Sequence, residues 1–154
     1  MKKLINVALM LVLTGFIFLM GCSTDEDPPQ GDPTINFAVE QGFISSDATL
    51  GVGEEFMVRL NIFMNAETES KLDRLEVKRS FTLASNQFTT DTSYTFDLQS
   101  QESVQFDLTT NAFPEIGEEV FEYKAIDKNG NSDMVSLTIT TVGNVQEYAD
   151  VEIG

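Results

Sequence analysis

The sequence predicts an all-β fold, a single antiparallel β-sandwich of about seven strands over residues 34–142. Three observations predict it. Apolar residues recur with period two rather than 3.6, turn residues punctuate these runs at short and fairly even spacing, and no segment of a dozen residues carries a helical stripe.

The strands follow in order. Ile35 to Val39 fits a short first strand. Phe56, Val58, Leu60, Ile62 and Met64 alternate with Met57, Arg59, Asn61, Phe63 and Asn65, a long strand with one apolar face. Leu75 and Val77 continue the style between Arg74, Glu76 and Lys78. Phe88, Thr90, Thr92, Tyr94, Phe96 and Leu98 share one parity, and Val104, Phe106 and Leu108 form a shorter strand. Phe121, Tyr123 and Ala125 alternate with Glu122 and Lys124, and Val135, Leu137 and Ile139 with Ser136, Thr138 and Thr140. Turns are expected at Gly42, Gly51-Val52-Gly53, Asn65, Asn86, Gly117 and Asn129-Gly130.

The most specific stretch is Gly117 to Val142, GEEVFEYKAIDKNGNSDMVSLTITTV. Asn129-Gly130 suits the two positive φ values of a type I′ hairpin turn. Phe121, Tyr123, Asp127, Gly130, Asn131, Leu137 and Ile139 give the stretch an outline that resembles the last two strands of bacterial immunoglobulin-like domains, polycystic-kidney-disease-type (PKD-like) repeats among them. The resemblance implies an immunoglobulin-like sandwich without the tryptophan and disulfide of antibody domains. It leaves function open, because such sandwiches serve adhesion, glycan binding and spacing alike.

At the other end, Met1-Lys2-Lys3 is a basic start and Leu4 to Met20 an almost uninterrupted apolar run, the form of a secretion signal. Leu19-Met20-Gly21-Cys22 follows and holds the only cysteine. It resembles the lipobox of bacterial lipoproteins, which implies a signal peptide over residues 1–21 and a covalent lipid (palmitate) on Cys22 as the membrane anchor. The alternative is a simple transmembrane anchor, since 17 such residues just span a bilayer. Residues 22–33 are an acidic, proline-rich tether, with Asp25-Glu26-Asp27, Pro28-Pro29 and Pro33. Acids just after the cysteine resemble the surface-export signal of Bacteroidetes lipoproteins, implying an outer-membrane, surface-exposed location; an ordinary solvated tether reads equally well. The tail, residues 143–154, carries Tyr148, Val151 and Ile153, which fit either an edge strand or the opening strand of a further domain.

Composition narrows the function. Without residues 1–21 the chain keeps seven Lys and Arg against 25 Asp and Glu, a net charge of about −18. Such a surface repels phosphate backbones, so no nucleic-acid partner is expected. There is no histidine, hence no usual general base and no commonest transition-metal ligand. Histidine-assisted serine or cysteine catalysis is absent with it, and no enzyme is expected.

The remaining candidates have plain alternatives. Asp127, Asn129, Asn131 and Asp133 alternate along the hairpin turn, an oxygen-rich spacing that suits Ca²⁺. The same residues are what a tight turn needs for its own hydrogen bonds, and that reading is favoured. No other cofactor is expected. Glu54-Glu55 and Glu118-Glu119 precede strands as acidic pairs, read as solvated strand entries rather than glycosidase carboxylates. Phe43, Phe63 and Phe113 are either plugs of the sandwich or exposed contacts. Lys71, Arg74, Lys78 and Arg79 concentrate the basic charge, read as protection of a strand edge. The expectation is a non-catalytic, lipid-anchored cell-surface module for binding, adhesion or spacing, with an unknown protein or glycan as partner. The alternative is a glycan-binding accessory lipoprotein of a polysaccharide-uptake system.

Overall fold

The computed structural model describes residues 31–85 and 88–143, with no side-chain description at 88–90. The signal segment, Cys22, most of the tether, Asn86 and Tyr148 therefore lie outside the described residues. The chain forms eight strands and no helix there: β1 (Thr34–Phe37), β2 (Ala48–Gly51), β3 (Glu55–Phe63), β4 (Leu72–Leu83), β5 (Phe88–Asp97), β6 (Ser103–Asn111), β7 (Gly117–Asp127) and β8 (Ser132–Val142). They make a three-stranded sheet, β1-β3-β6, and a five-stranded sheet, β2-β8-β7-β4-β5.

Two details differ from the sequence reading. The count is eight because β2, Ala-Thr-Leu-Gly, is too short to carry an alternation signal. Nor is the sandwich wholly antiparallel: β2 pairs with β8 in parallel, Ala48 opposite Ile139 through Gly51 opposite Val142. The opening segment thus serves both sheets, β1 pairing antiparallel with β3 and β2 lying beside β8.

The period-two pattern becomes a shared core. Val58, Leu60 and Ile62 of β3 meet Leu75 and Val77 of β4, Phe121 and Tyr123 of β7, and Leu137 and Ile139 of β8. Edge-to-face ring pairs cross the interface, Phe56 on Phe121 at 5.6 Å and Phe37 on Tyr123 at 5.8 Å. Such pairs add about 0.5–1.5 kcal/mol each beyond the area they bury.

Gly117 is the first residue of β7 rather than a turn, and it is buried. A Cβ there would stand 2.2 Å from the Thr82 carbonyl oxygen and 2.8 Å from the Phe81 ring. The glycine is needed for close strand approach, not for turn geometry.

Hydrogen bonds between loops define two ends. Thr34, the hairpin after Asp127 and the Gln99–Glu102 segment gather at one end, where Ile35 N–H donates to Asp133 Oδ2, Leu72 N–H to Gln101 O and Lys128 N–H to Lys71 O. The end of β8, the Gly51–Glu54 turn and the Ala112–Ile116 loop gather at the other, joined by Val52 N–H to Val142 O and Gly53 N–H to Phe113 O. The chain enters the sandwich at the first end and leaves it at the second.

Candidate functional site

The hairpin between β7 and β8 holds the four oxygen-bearing residues singled out for Ca²⁺. Of the four, only Asp127 sits in the middle of a hydrogen-bond cluster, and it is buried. Its Oδ1 accepts the backbone N–H groups of Asn129 at 2.9 Å and Asn131 at 2.8 Å, and its Oδ2 accepts Asn131 Nδ2 at 3.1 Å. Asp133 is turned elsewhere: Oδ2 accepts from Ile35 N–H at 3.1 Å and Oδ1 from Met134 N–H at 2.8 Å. The two carboxylates therefore serve different elements, one closing the turn and one fastening β1.

The turn is also not of type I′. Gly130 has φ of +88°, but Asn129 is not among the positive-φ residues. Gly130 N–H donates to Asp127 O at 3.1 Å and Asp127 N–H to Asn131 O at 3.0 Å. That is a tight turn over Lys128 and Asn129 followed by one left-handed glycine, the three-residue hairpin pattern. The Asp127 side chain supplies the rest of the geometry.

A first prediction arises here. Asp127→Ala should destabilise the metal-free protein by about 1–2 kcal/mol, because three N–H donors lose their acceptor. Calcium should raise the melting temperature of the wild type by no more than about a degree or two. A large calcium-dependent rise, lost in Asp127→Ala and in Asp133→Ala, would overturn the turn reading.

The acidic pairs separate on folding. Glu54 Oε2 accepts Gly51 N–H at 2.7 Å, a local turn contact. Glu119 corrects the solvated-entry reading: its side chain is 0% exposed. It faces inward with Phe121 and Tyr123, and Arg79 Nε donates to its Oε1. Its Oε2 accepts Phe113 N–H at 3.3 Å, while Arg79 Nη2 donates to Asn111 O at 2.7 Å. The guanidinium also lies 5.2 Å from the Phe121 ring centroid. This pair was invisible in the sequence, since its members are 40 positions apart and each breaks an otherwise apolar parity.

The basic cluster is likewise reassigned. β4 is an interior strand between β7 and β5, so its charges guard no edge. Lys71 pairs with Glu102, Arg74 with Asp73 and Glu76, and Lys78 with Asp91 and Glu122. Lys128 and Arg74 hold the Asp73 carboxyl below the usual carboxylate range. Lys124 is the one Lys or Arg among the described residues without a carboxylate in ion-pair range.

The loop and edge phenylalanines divide. Phe113 stacks on Phe81 at 3.8 Å and plugs the sandwich, Phe43 lies 4.1 Å beneath the Arg59 guanidinium, and Phe63 is exposed. The Tyr123 hydroxyl is buried without a hydrogen-bond partner among the described residues, and burial pushes its ionisation upward.

Accessible apolar surface lies in two places: a hollow of about 370 Å³ lined by Leu83, Ile116 and Val142 among others, and the side of the sandwich where β5 and β6 are the outer strands. A cavity of about 220 Å³ opens between the sheets there, lined by Val77, Arg79, Tyr94, Phe96, Leu108 and Phe121 among others. A second hollow of about 240 Å³ lies beside Tyr94, Glu76, Glu122, Lys124 and Met134. In the sequence, Tyr94 and Phe96 share one parity of a strand, as core residues do. Only the unequal widths of the two sheets reveal that this flank is uncovered.

No known family matches this sequence, and no curated protein does. Among solved structures, the chain is similar to a DUF4466 family protein from Parabacteroides merdae, at 15% identity and a TM-score of 0.49 over 71% of this chain and 44% of that one. A sporulation control protein from Bacillus subtilis gives 13% and 0.45 over 73% and 50%. A conjugate transposon protein from Bacteroides vulgatus gives 14% and 0.39 over 82% and 98%. The chain spans half or less of the first two. At these identities the likeness is one of all-β architecture.

Proposed function

We propose that this chain is a lipid-anchored, non-catalytic module of the outer-membrane surface, an immunoglobulin-like sandwich that carries a binding surface away from the membrane. The observation that carries the reading is the placement of the chain ends. Thr34 enters at one end of the sandwich and Val142 leaves at the other. A domain anchored through Cys22 then holds its Ala112–Ile116 end outward, on a tether whose 11 residues after the cysteine reach about 34 Å if extended.

Strand order supports the immunoglobulin-like assignment. β1-β3-β6 corresponds to strands A, B and E of that fold, and β8-β7-β4-β5 to G, F, C and C′. The engagement of Asp127, Asp133 and Glu119 in structural hydrogen bonds supports a non-catalytic role.

Cys22→Ser tests the anchor. The variant should accumulate as an unprocessed precursor or a soluble product, whereas wild type should partition with membranes and be cut by protease added to whole cells. A variant that matures and stays membrane-bound like wild type would sink the proposal. The glycan-binding reading draws on the hollow beside Tyr94, where an exposed aromatic ring lies next to the unpaired Lys124. Retention on a glycan array, lost in Tyr94→Ala, would favour it over a spacer.

A further inference from the structure

The cavity of about 220 Å³ between the sheets is apolar except for one charged side chain, Arg79. Its burial is graded. Val77 and Phe121 are buried at the floor, Phe96 and Leu108 are partly buried in the walls, and Tyr94 is 50% exposed at the mouth. Phe96 meets Phe106 across the gap at 4.8 Å, so the cavity is bounded on that side. Along β4 and β5 these residues alternate with Glu76, Lys78, Ser93 and Thr95, which line the hollow beside Lys124. The two hollows therefore lie on opposite faces of one sheet.

Arg79 is held in place by two acceptors. Nε donates to Glu119 and Nη2 to Asn111 O at 2.7 Å, which fixes the guanidinium plane. Nη1 has no acceptor among the described residues. A guanidinium carries five N–H donors, and those on Nη1 are the ones left to offer. Its charge, by contrast, is already neutralised by Glu119. The chain as a whole has 25 Asp and Glu against 9 Lys and Arg, a surplus that repels any further anion. The site thus combines apolar walls, an oriented donor and no spare positive charge.

We propose that this cavity binds a small, neutral aromatic molecule with one hydrogen-bond acceptor, which Arg79 Nη1 engages. Size fits a single substituted ring, since an apolar cavity of about 150 Å³ holds benzene and this one is somewhat larger. Phe96, Phe121 and Tyr94 supply ring contacts. A ligand without an acceptor leaves Nη1 desolvated and unpaired, which costs affinity. A carboxylate duplicates the charge that Glu119 already provides. The site goes beyond the anchored-module reading and does not depend on Cys22.

The test uses the full-length, detergent-extracted protein, with acetophenone as the probe and its free concentration measured. The methyl resonances of Val77 and Leu108 should shift saturably, with a Kd of about 1 mM or tighter. The Arg79 guanidinium resonances should move with acetophenone and stay in place with ethylbenzene, which has the ring but no acceptor. Benzoate should bind at least about tenfold more weakly than acetophenone. Leu108→Trp fills the cavity and should weaken the response at Val77 by at least about tenfold. The comparison of probes on wild type stands whether or not that variant folds. Shifts at Val77 and Leu108 that do not saturate would overturn the proposal, as would Arg79 resonances that ignore acetophenone. So would a Val77 response that survives in folded Leu108→Trp, or benzoate binding as tightly as acetophenone.

Discussion

Arg79→Met is expected to destabilise the sandwich by about 3–5 kcal/mol, the cost of leaving a buried carboxylate without its partner. Glu119 is fully buried and would retain one hydrogen bond, the 3.3 Å contact from Phe113 N–H. In a domain of this size each kcal/mol is worth about 4–8 °C of melting temperature, so a loss of about 12 °C or more should appear in a calorimetric scan. The Asn111 carbonyl loses its donor as well. Arg79→Met combined with Glu119→Gln should recover much of the loss, because an uncharged amide tolerates burial better than a lone carboxylate. A single-variant loss below about 1 kcal/mol would mean that Glu119 reaches water and that the pair is no more than a surface bridge.

Gly117→Val should cost about 3 kcal/mol or more. The added Cβ meets a backbone oxygen at 2.2 Å, and that oxygen belongs to β4, which is held on both sides by β5 and β7. Neither strand can retreat without breaking the ladder that runs from Leu83 opposite Gly117 to Leu72 opposite Asp127. Overpacking against yielding side chains costs about 1–3 kcal/mol, and a rigid backbone puts this site at or above the top of that range. Gly117→Ala should show nearly the same loss, since the clash is made by Cβ itself. Urea unfolding checks both; a near-neutral alanine variant would mean that the strands separate easily there.

The legibility of the sequence follows from what each residue had to signal. Phe56, Val58, Leu60 and Ile62 announce β3 because nothing interrupts their alternation. β4 is legible only around Leu75 and Val77, although it runs from Leu72 to Leu83. The next inward position is Arg79, whose charge is neutralised by Glu119, a residue remote in sequence. The same pair disguised the start of β7, where Gly117-Glu118-Glu119 looked like a turn and a polar entry. The Asn129-Gly130 pair located the hairpin correctly but implied the wrong turn type, because the Asp127 carboxylate sets that turn through contacts no dipeptide encodes. Of the surface features, the uncovered flank beside β5 had no local signature, since Tyr94 and Phe96 alternate as core residues do.

The opposite placement of the chain ends has a mechanical consequence. If the protein is held at Cys22 and pulled through the chain that follows Val142, tension enters at Thr34 and leaves at Val142. β1 is then dragged lengthwise against β3, and β8 lengthwise against both β7 and its parallel neighbour β2. The β1–β3 and β2–β8 contacts have four register pairs each and the β7–β8 contact ten, and under this geometry the pairs of a contact bear load together instead of peeling one after another. Force applied along the tether therefore meets these short strands in shear, the direction in which a ladder yields last.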